Sequence, residues 1–296
     1  MKVFVFLVII SIISIIPVAD AQISLGQKAV HDSIEVIINS VGEVHVKHDV
    51  SQTSVPVQVD FIDGTVSDIS VTNEQGKEKQ VNIVGGNIGV LILPTNQNSI
   101  VEYNLDDVLS QKDGLWTWNF RYLESTSFFL PEEVDLLFAN ERPVFLGESK
   151  GMICHGCQML LEYSINEPKK IEQVNWDDQE FLVVIRTLTE IEDFDFSQSA
   201  RKISFKVNED NQLVTVIIPL ELLWDPYDVF LDGGKIDQHK FNNNGTHVWL
   251  NLRPETSGEI TIIGTTVIPE FPIIAPLAIG FLMILVMPFI RKVNLR

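Results

Sequence analysis

The chain has 296 residues, with 21 Lys and Arg against 40 Asp and Glu, for a formal net charge of −19. An acidic surface of that size repels phosphate backbones and excludes nucleic acid as a partner. With Cys154 and Cys157 as the only cysteines, a multi-bridge disulfide framework is excluded too.

The chain opens with Lys2, an apolar run from Val3 to Ile16, Pro17 and the small-residue pattern Ala19-Asp20-Ala21. This is the build of a secretory signal peptide, residues 1–21, with cleavage after Ala21. About 14 apolar residues at 1.5 Å each span about 21 Å, short of the roughly 30 Å hydrocarbon core, so a retained spanning helix is disfavoured.

From residue 22 onward the hydrophobic period is two. Ile34, Val36 and Ile38 predict one strand, Val44, Val46 and Val50 a second, and 55–62 a third ending at the Asp63-Gly64 turn. Ile69 and Val71 predict another strand, with a turn near Gln75-Gly76. The clearest is 115–122, where Trp116, Trp118, Phe120 and Tyr122 share one face. Such an aromatic stripe reads as core ahead of a sugar platform. Short helical turns are expected at 104–111 and at 130–138, where Pro131 and its acidic followers suit a helix start.

Cys154-His155-Gly156-Cys157 is the one local motif with chemical content. It is not a haem attachment sequence, because Gln158 occupies the place of the required histidine. Three chemistries compete there. A local disulfide suits an oxidising exterior, and Gly156 would relax its tight turn. Two thiolates and the His155 imidazole are also ligands suited to copper or zinc, with His45 and His48 as the weaker candidates to complete the site. On an extended strand those two histidines point to opposite faces, which opposes their joining one site. Thiol–disulfide exchange is the third chemistry, although no thioredoxin-like setting follows the motif.

Glu167-Pro168-Lys169-Lys170 reads as a linker between an N-terminal domain, 22–166, and a C-terminal domain, 171–266. Beyond it 181–185 predicts a strand buried on both faces, followed by an acidic loop over 190–195. Ile203, Phe205 and Val207 alternate with polar partners, and 213–218, 227–231, 246–252 and 259–263 predict four more strands. Residues 219–224 read as a short helix or corner, and Asp232-Gly233-Gly234 as a hairpin turn. Asn244-Gly245-Thr246 is an acceptor pattern for N-glycosylation in a polar loop.

The last segment, 267–296, carries Ile268-Pro269-Glu270-Phe271-Pro272, an uncharged run from 271 to 290, and then Arg291, Lys292 and Arg296. About 20 apolar residues are long enough to cross a bilayer as one helix, and the basic cluster favours a cytoplasmic C-terminus. The arrangement of Pro269, Glu270 and Phe271, apolar run and basic stop resembles the PEF-type C-terminal sorting signal of archaeal surface proteins, especially those of ammonia-oxidising archaea. The resemblance covers about the last 30 residues, and Pro272 stands where glycine is commoner. It implies an archaeosortase as partner, which would cut near that block and transfer the ectodomain to a lipid; without processing the segment stays as the anchor.

The expected fold class is therefore mainly β: two β-sandwich (Ig-like) domains followed by one C-terminal transmembrane helix. The expected location is the cell membrane, single-pass with the ectodomain outside, or lipid-anchored after sorting. No Gly-x-Ser-x-Gly elbow, His-Glu-x-x-His helix or phosphate-cradling loop occurs. The reading is accordingly non-enzymatic, a structural, adhesion or ligand-binding surface protein. Membrane lipid and cell-envelope proteins or glycans are its expected partners, and no cofactor is required. The competing reading is an extracytoplasmic copper- or zinc-binding or thiol-redox protein centred on Cys154 and Cys157.

Overall fold

A computed structural model describes residues 26–265 except 177 and 244. Ala21, the glycosylation candidate Asn244, the sorting residues Pro269, Glu270 and Phe271 and the 271–290 run lie outside the described residues. Among those described, the chain is mainly β, with multiple sheets and no helix, and therefore no helix long and apolar enough to cross a membrane.

The strands in chain order are β1 (Gln27–Lys28), β2 (His31–Ile38), β3 (Val44–Val50), β4 (Val57–Asp60), β5 (Thr65–Asn73), β6 (Ile83–Val84), β7 (Gly89–Ile92) and β8 (Ser99–Asp106). There follow β9 (Ser110–Lys112), β10 (Leu115–Arg121), β11 (Ser125–Phe129), β12 (Leu136–Ala139), β13 (Arg142–Phe145), β14 (Gly151–His155) and β15 (Gln158–Ser164). The rest are β16 (Lys169–Trp176), β17 (Gln179–Thr187), β18 (Ile191–Ser197), β19 (Lys202–Val207), β20 (Val214–Pro219), β21 (Trp224–Leu231), β22 (Gly234–Lys235), β23 (Gln238–Asn243), β24 (His247–Leu252) and β25 (Gly258–Thr265).

The described chain forms two compact units that are not contiguous in sequence. The first holds 26–110, 118–132 and 146–160, and the second 111–117, 133–145 and 161–265. Residues 167–170, expected as a linker, lie in the second unit, where Lys169 and Lys170 open β16.

The first unit contains a six-stranded sheet in the order β14-β11-β2-β3-β8-β5 and a four-stranded sheet β1-β4-β7-β6. Strand β3 alternates strictly, with Val44, Val46, His48 and Val50 buried and His45, Lys47 and Asp49 half-buried. Period-two burial is what a pleated strand with one face on a core imposes. Its neighbours keep the same order, since Ile34, Val36 and Ile38 of β2 and Val101, Tyr103 and Leu105 of β8 are all buried. From β10 and β11 come Trp118, Phe120 and Phe128, whose rings meet edge-on with centroids 4.8–6.1 Å apart. The aromatic residues of β10 are thus packed as core, with Trp118 and Phe120 buried.

In the second unit the sheets β16-β17-β20-β24-β23 and β18-β19-β25-β21-β22 share one apolar core. Val183, Ile185, Val216 and Leu250 from the first sheet and Phe205, Val229 and Ile262 from the second are among its buried members. Facing apolar surfaces of two sheets are the elementary way to bury a one-sided strand pattern. The hairpin joining β21 to β22 turns on Asp232 and Gly233, both at positive φ (47° and 83°), as its twist requires. A further five-stranded sheet has the order β13-β12-β15-β10-β9; β12, β13 and residues 161–164 of β15 belong to the second unit.

Four local expectations are corrected. The helical turn expected at 104–111 is the end of β8, a turn and β9, because Asp107 takes a left-handed φ of 58° that ends any right-handed turn there. The one expected at 130–138 gives way to β12, whose backbone pairs with β13 and β15 on either side and whose Leu136 and Phe138 pack against Leu213 and Trp249. Strand β17 is not buried on both faces: Val183 and Ile185 point inward while Leu182 is 51% exposed. The acidic loop at 190–195 is strand β18, paired with β19 through a bulge between Glu192 and Asp195 that lets Phe194 and Phe196 reach the core. Of the short helix or corner expected at 219–224, the corner is found, with Leu222 and Leu223 both donating their N–H to the Pro219 carbonyl oxygen.

Candidate functional site

Cys154 and Cys157 are joined as a disulfide between the end of β14 and the start of β15, with Cα atoms 5.9 Å apart. Pairing β14 with β11 sets Cys154 opposite Thr126 and His155 opposite Ser125. Alternation along β14 then buries Cys154 and exposes His155. The imidazole Nδ1 of His155 lies 2.9 Å from the Ser125 hydroxyl, a surface pair. The link depends on Gly156, at φ 61°, where a Cβ would stand 2.6 Å from the Leu123 carbonyl oxygen. Tyr122 donates its N–H to Cys157 O at 3.1 Å, tying the turn to the end of β10. The Cys157 sulfur lies 4.0 Å from the Met159 sulfur. A ring this small contributes at most about 2 kcal/mol in the chain-entropy picture, so its mechanical role is that of a local clip.

His45 and His48 do not meet the cysteines. Three strand spacings, about 14 Å, separate β3 from β14 in the sheet order. They also divide between the faces of β3. His45 faces outward, its Nδ1 3.0 Å from Asn104 Oδ1 and its Nε2 3.8 Å from a Glu102 carboxylate oxygen. His48 faces inward, fully buried. Among the described residues, no three His, Cys, Asp or Glu side chains gather where a metal ion could sit.

The group of polar side chains that does converge in this unit is the set around His48. Its Nε2 lies 3.0 Å from Tyr103 Oη, and Ile62 donates its N–H to the same oxygen at 3.0 Å. The Tyr103 proton is therefore free to go to His48, which places the His48 proton on Nδ1. Among the described residues that buried Nδ1 has no hydrogen-bond partner, and neither does either buried ring nitrogen of His31. The two imidazole centroids are 5.1 Å apart. His31 turns toward His48 because the β2–β3 register shifts between His31 and Ser33. Phe61 packs on Tyr103 at 4.6 Å, and the Tyr122 hydroxyl, which donates to Asp60 O at 2.7 Å, borders the group. Burial lowers the pKa of both histidines below the ordinary 6.5, that of His48 to about 3, and the His31 imidazole further opposes charge on His48. The His48 position was legible in its register with Val44, Val46 and Val50, whereas His31 and Tyr103 carried no local signal.

In the second unit two ion pairs have a carboxylate held largely out of water. Arg186 binds Glu167 at 2.9 Å, both nearly buried, with its guanidinium 5.6 Å from the Trp249 ring. Burial raises the Glu167 pKa against the opposing pull of Arg186. Arg253 grips Glu162 through two bonds of 2.8 and 2.9 Å. A cavity of about 10 Å³ beside Tyr163 and Glu167 is on the scale of one water molecule, far below the roughly 300 Å³ of a small-molecule pocket.

No protein-family model matches the chain, and no curated protein matches it significantly.

Proposed function

We propose that this chain is a membrane-anchored extracytoplasmic surface protein with a structural, adhesion or ligand-binding role. In this reading it carries two Ig-like β-sandwich domains outside the cell and one C-terminal transmembrane helix, or a lipid anchor after sorting by an archaeosortase. The observation that carries the reading is the pairing of two apolar termini, 3–16 with its Ala19-Asp20-Ala21 site and 271–290 with its Arg291-Lys292 stop, around a mainly β body, in a chain whose net charge is −19. Membrane lipid is the first partner, and cell-envelope proteins or glycans are the class of ligand an acidic ectodomain at the cell surface would meet. Protease treatment of intact cells, followed by mass spectrometry of the membrane fraction, tests it. Residues 26–265 should be digested from outside and the mature N-terminus should begin at Gln22. Recovery of the intact leader in the cytosol would sink the proposal.

A second reading rests on the sulfur chemistry. Buried Cys154 and half-buried Cys157 pair across an exposed turn with the buried Met159 sulfur 4.0 Å from Cys157, a sulfur set whose chemistry is thiol–disulfide exchange or, when reduced, copper or zinc binding. Metal content and thiol titration of the full chain, with and without the Cys154→Ser and Cys157→Ser pair, separate the readings. Stoichiometric metal lost in the double variant favours the second, and an inert disulfide without metal favours the first.

A further inference from the structure

The ring of buried His48 and that of half-buried His31 have, among the described residues, three buried nitrogens without a hydrogen-bond partner, an arrangement that favours neutral rings. His48 is fixed from below by Tyr103. His31 is the first residue of β2, and the chain just before it is joined to its neighbours by backbone hydrogen bonds. Gln27 donates its N–H to Pro56 O at 3.2 Å, Ala29 to Gln58 O at 2.9 Å, and Ser51 donates to Val30 O at 2.9 Å. Strand β1 is a two-residue parallel strand at the outer edge of its sheet, paired with β4 alone. Lys28 forms an ion pair with Glu124, and Asp32 accepts a bond from the Ser51 hydroxyl at 2.6 Å.

We propose that His31 and His48 form an acid-sensitive latch: protonation of the pair releases residues 26–33 from the first unit and strips β1 from β4 while the remaining sheets stay folded. The ionisable groups around the pair set its balance. Burial, the largest influence, and Lys28 on β1 oppose a charge on His31 and together outweigh Glu124 ahead of β11, Asp60 on β4 and Asp32 on β2, which favour it. For His48 burial and His31 both oppose the charge, and the facing hydroxyls of Tyr103 and Tyr122 are neutral throughout this range. In the proposed open state His31 leaves His48, both rings reach water, and each titrates near the ordinary 6.5. The opening constant then rises about tenfold per pH unit for each histidine released, over the interval between its folded and free pKa. Because no third His, Cys, Asp or Glu joins the pair among the described residues, protons rather than a metal ion are the ligand the geometry suits.

Hydrogen exchange of the full chain in detergent micelles, measured from pH 7.5 to 4.5 and expressed as protection factors, tests the latch. Protection at Ala29 and Ser51 should fall by about tenfold or more per pH unit below about 6.5, while the amides of β19 and β25 hold theirs. With His31→Gln, which does not titrate, the slope should drop to that of one proton. Protection independent of pH, or lost equally in both units, overturns the proposal, as does an unchanged slope in the variant. If the variant fails to fold, the proton uptake of the unaltered chain decides alone. Addition of zinc(II) or copper(I) at pH 7.5 should change nothing; a stoichiometric gain in protection at Ala29 would replace the latch with a metal site.

Discussion

Tyr103 and His48, side by side on β8 and β3, share one hydrogen bond of 3.0 Å inside the first unit, and the same Tyr103 oxygen takes the N–H of Ile62. One hydroxyl therefore satisfies a ring nitrogen and a backbone donor that would otherwise be buried unpaired. Tyr103→Phe should destabilise the first unit by about 2–4 kcal/mol, the cost of leaving both partners unsatisfied. Urea denaturation followed by tryptophan fluorescence measures this; a loss below about 1 kcal/mol would show that neither bond matters.

The pH dependence of stability follows from the same residue. His48 has a folded pKa of about 3 against 6.5 when unfolded, so between these values the unfolded chain binds the extra proton. The contribution of neutral His48 is complete above about 6.5 and is lost as pH falls, at a little over 1 kcal/mol per pH unit, until the folded pKa is reached. Denaturation midpoints at pH 7.5, 5.5 and 4.5 should decline in that order. A flat profile from 6.5 to 4.5 would contradict a neutral buried imidazole.

Removal of the disulfide should be mild and removal of its glycine severe. A Cys154→Ala, Cys157→Ala double variant should lose no more than about 2 kcal/mol and keep its far-ultraviolet circular dichroism. Gly156→Ala must seat a Cβ 2.6 Å from the Leu123 carbonyl oxygen at a left-handed φ, and should lose about 2–3 kcal/mol or shift the β14–β15 turn. Equal melting temperatures for Gly156→Ala and the parent would refute the close approach.

Glu162 is 2% exposed and holds Arg253 through two parallel bonds, whereas Glu141 reaches the same guanidinium only at 3.9 Å. Glu162→Gln should cost about 2–3 kcal/mol, because the amide cannot return both charge-assisted bonds. Thermal unfolding of the variant reads this loss, and Arg253→Lys, which keeps the charge without the fork, should lose nearly as much.

Alternation of apolar and polar residues is a property of a strand and its nearest neighbours, so the sequence by itself determined that this chain is mainly β. It also placed individual side chains, including Trp118 and Phe120 in the core and His45 and His48 on opposite faces of β3. The Asp232-Gly233 turn was legible for the same reason, since two positive φ values are a local demand. Only the tertiary structure decided what lies across from each residue. Pairing on either side made β12 a strand where Pro131 and two glutamates suggested a helix, and a bulge beside Asp193 turned an acidic stretch into β18. The His31–His48–Tyr103 group has the same origin: a register shift in β2 and a tyrosine 55 positions beyond His48 bring together rings whose sequence neighbours give no sign of one another. Contacts across strands are set by free energy shared over the whole sheet, and no short window of sequence contains it.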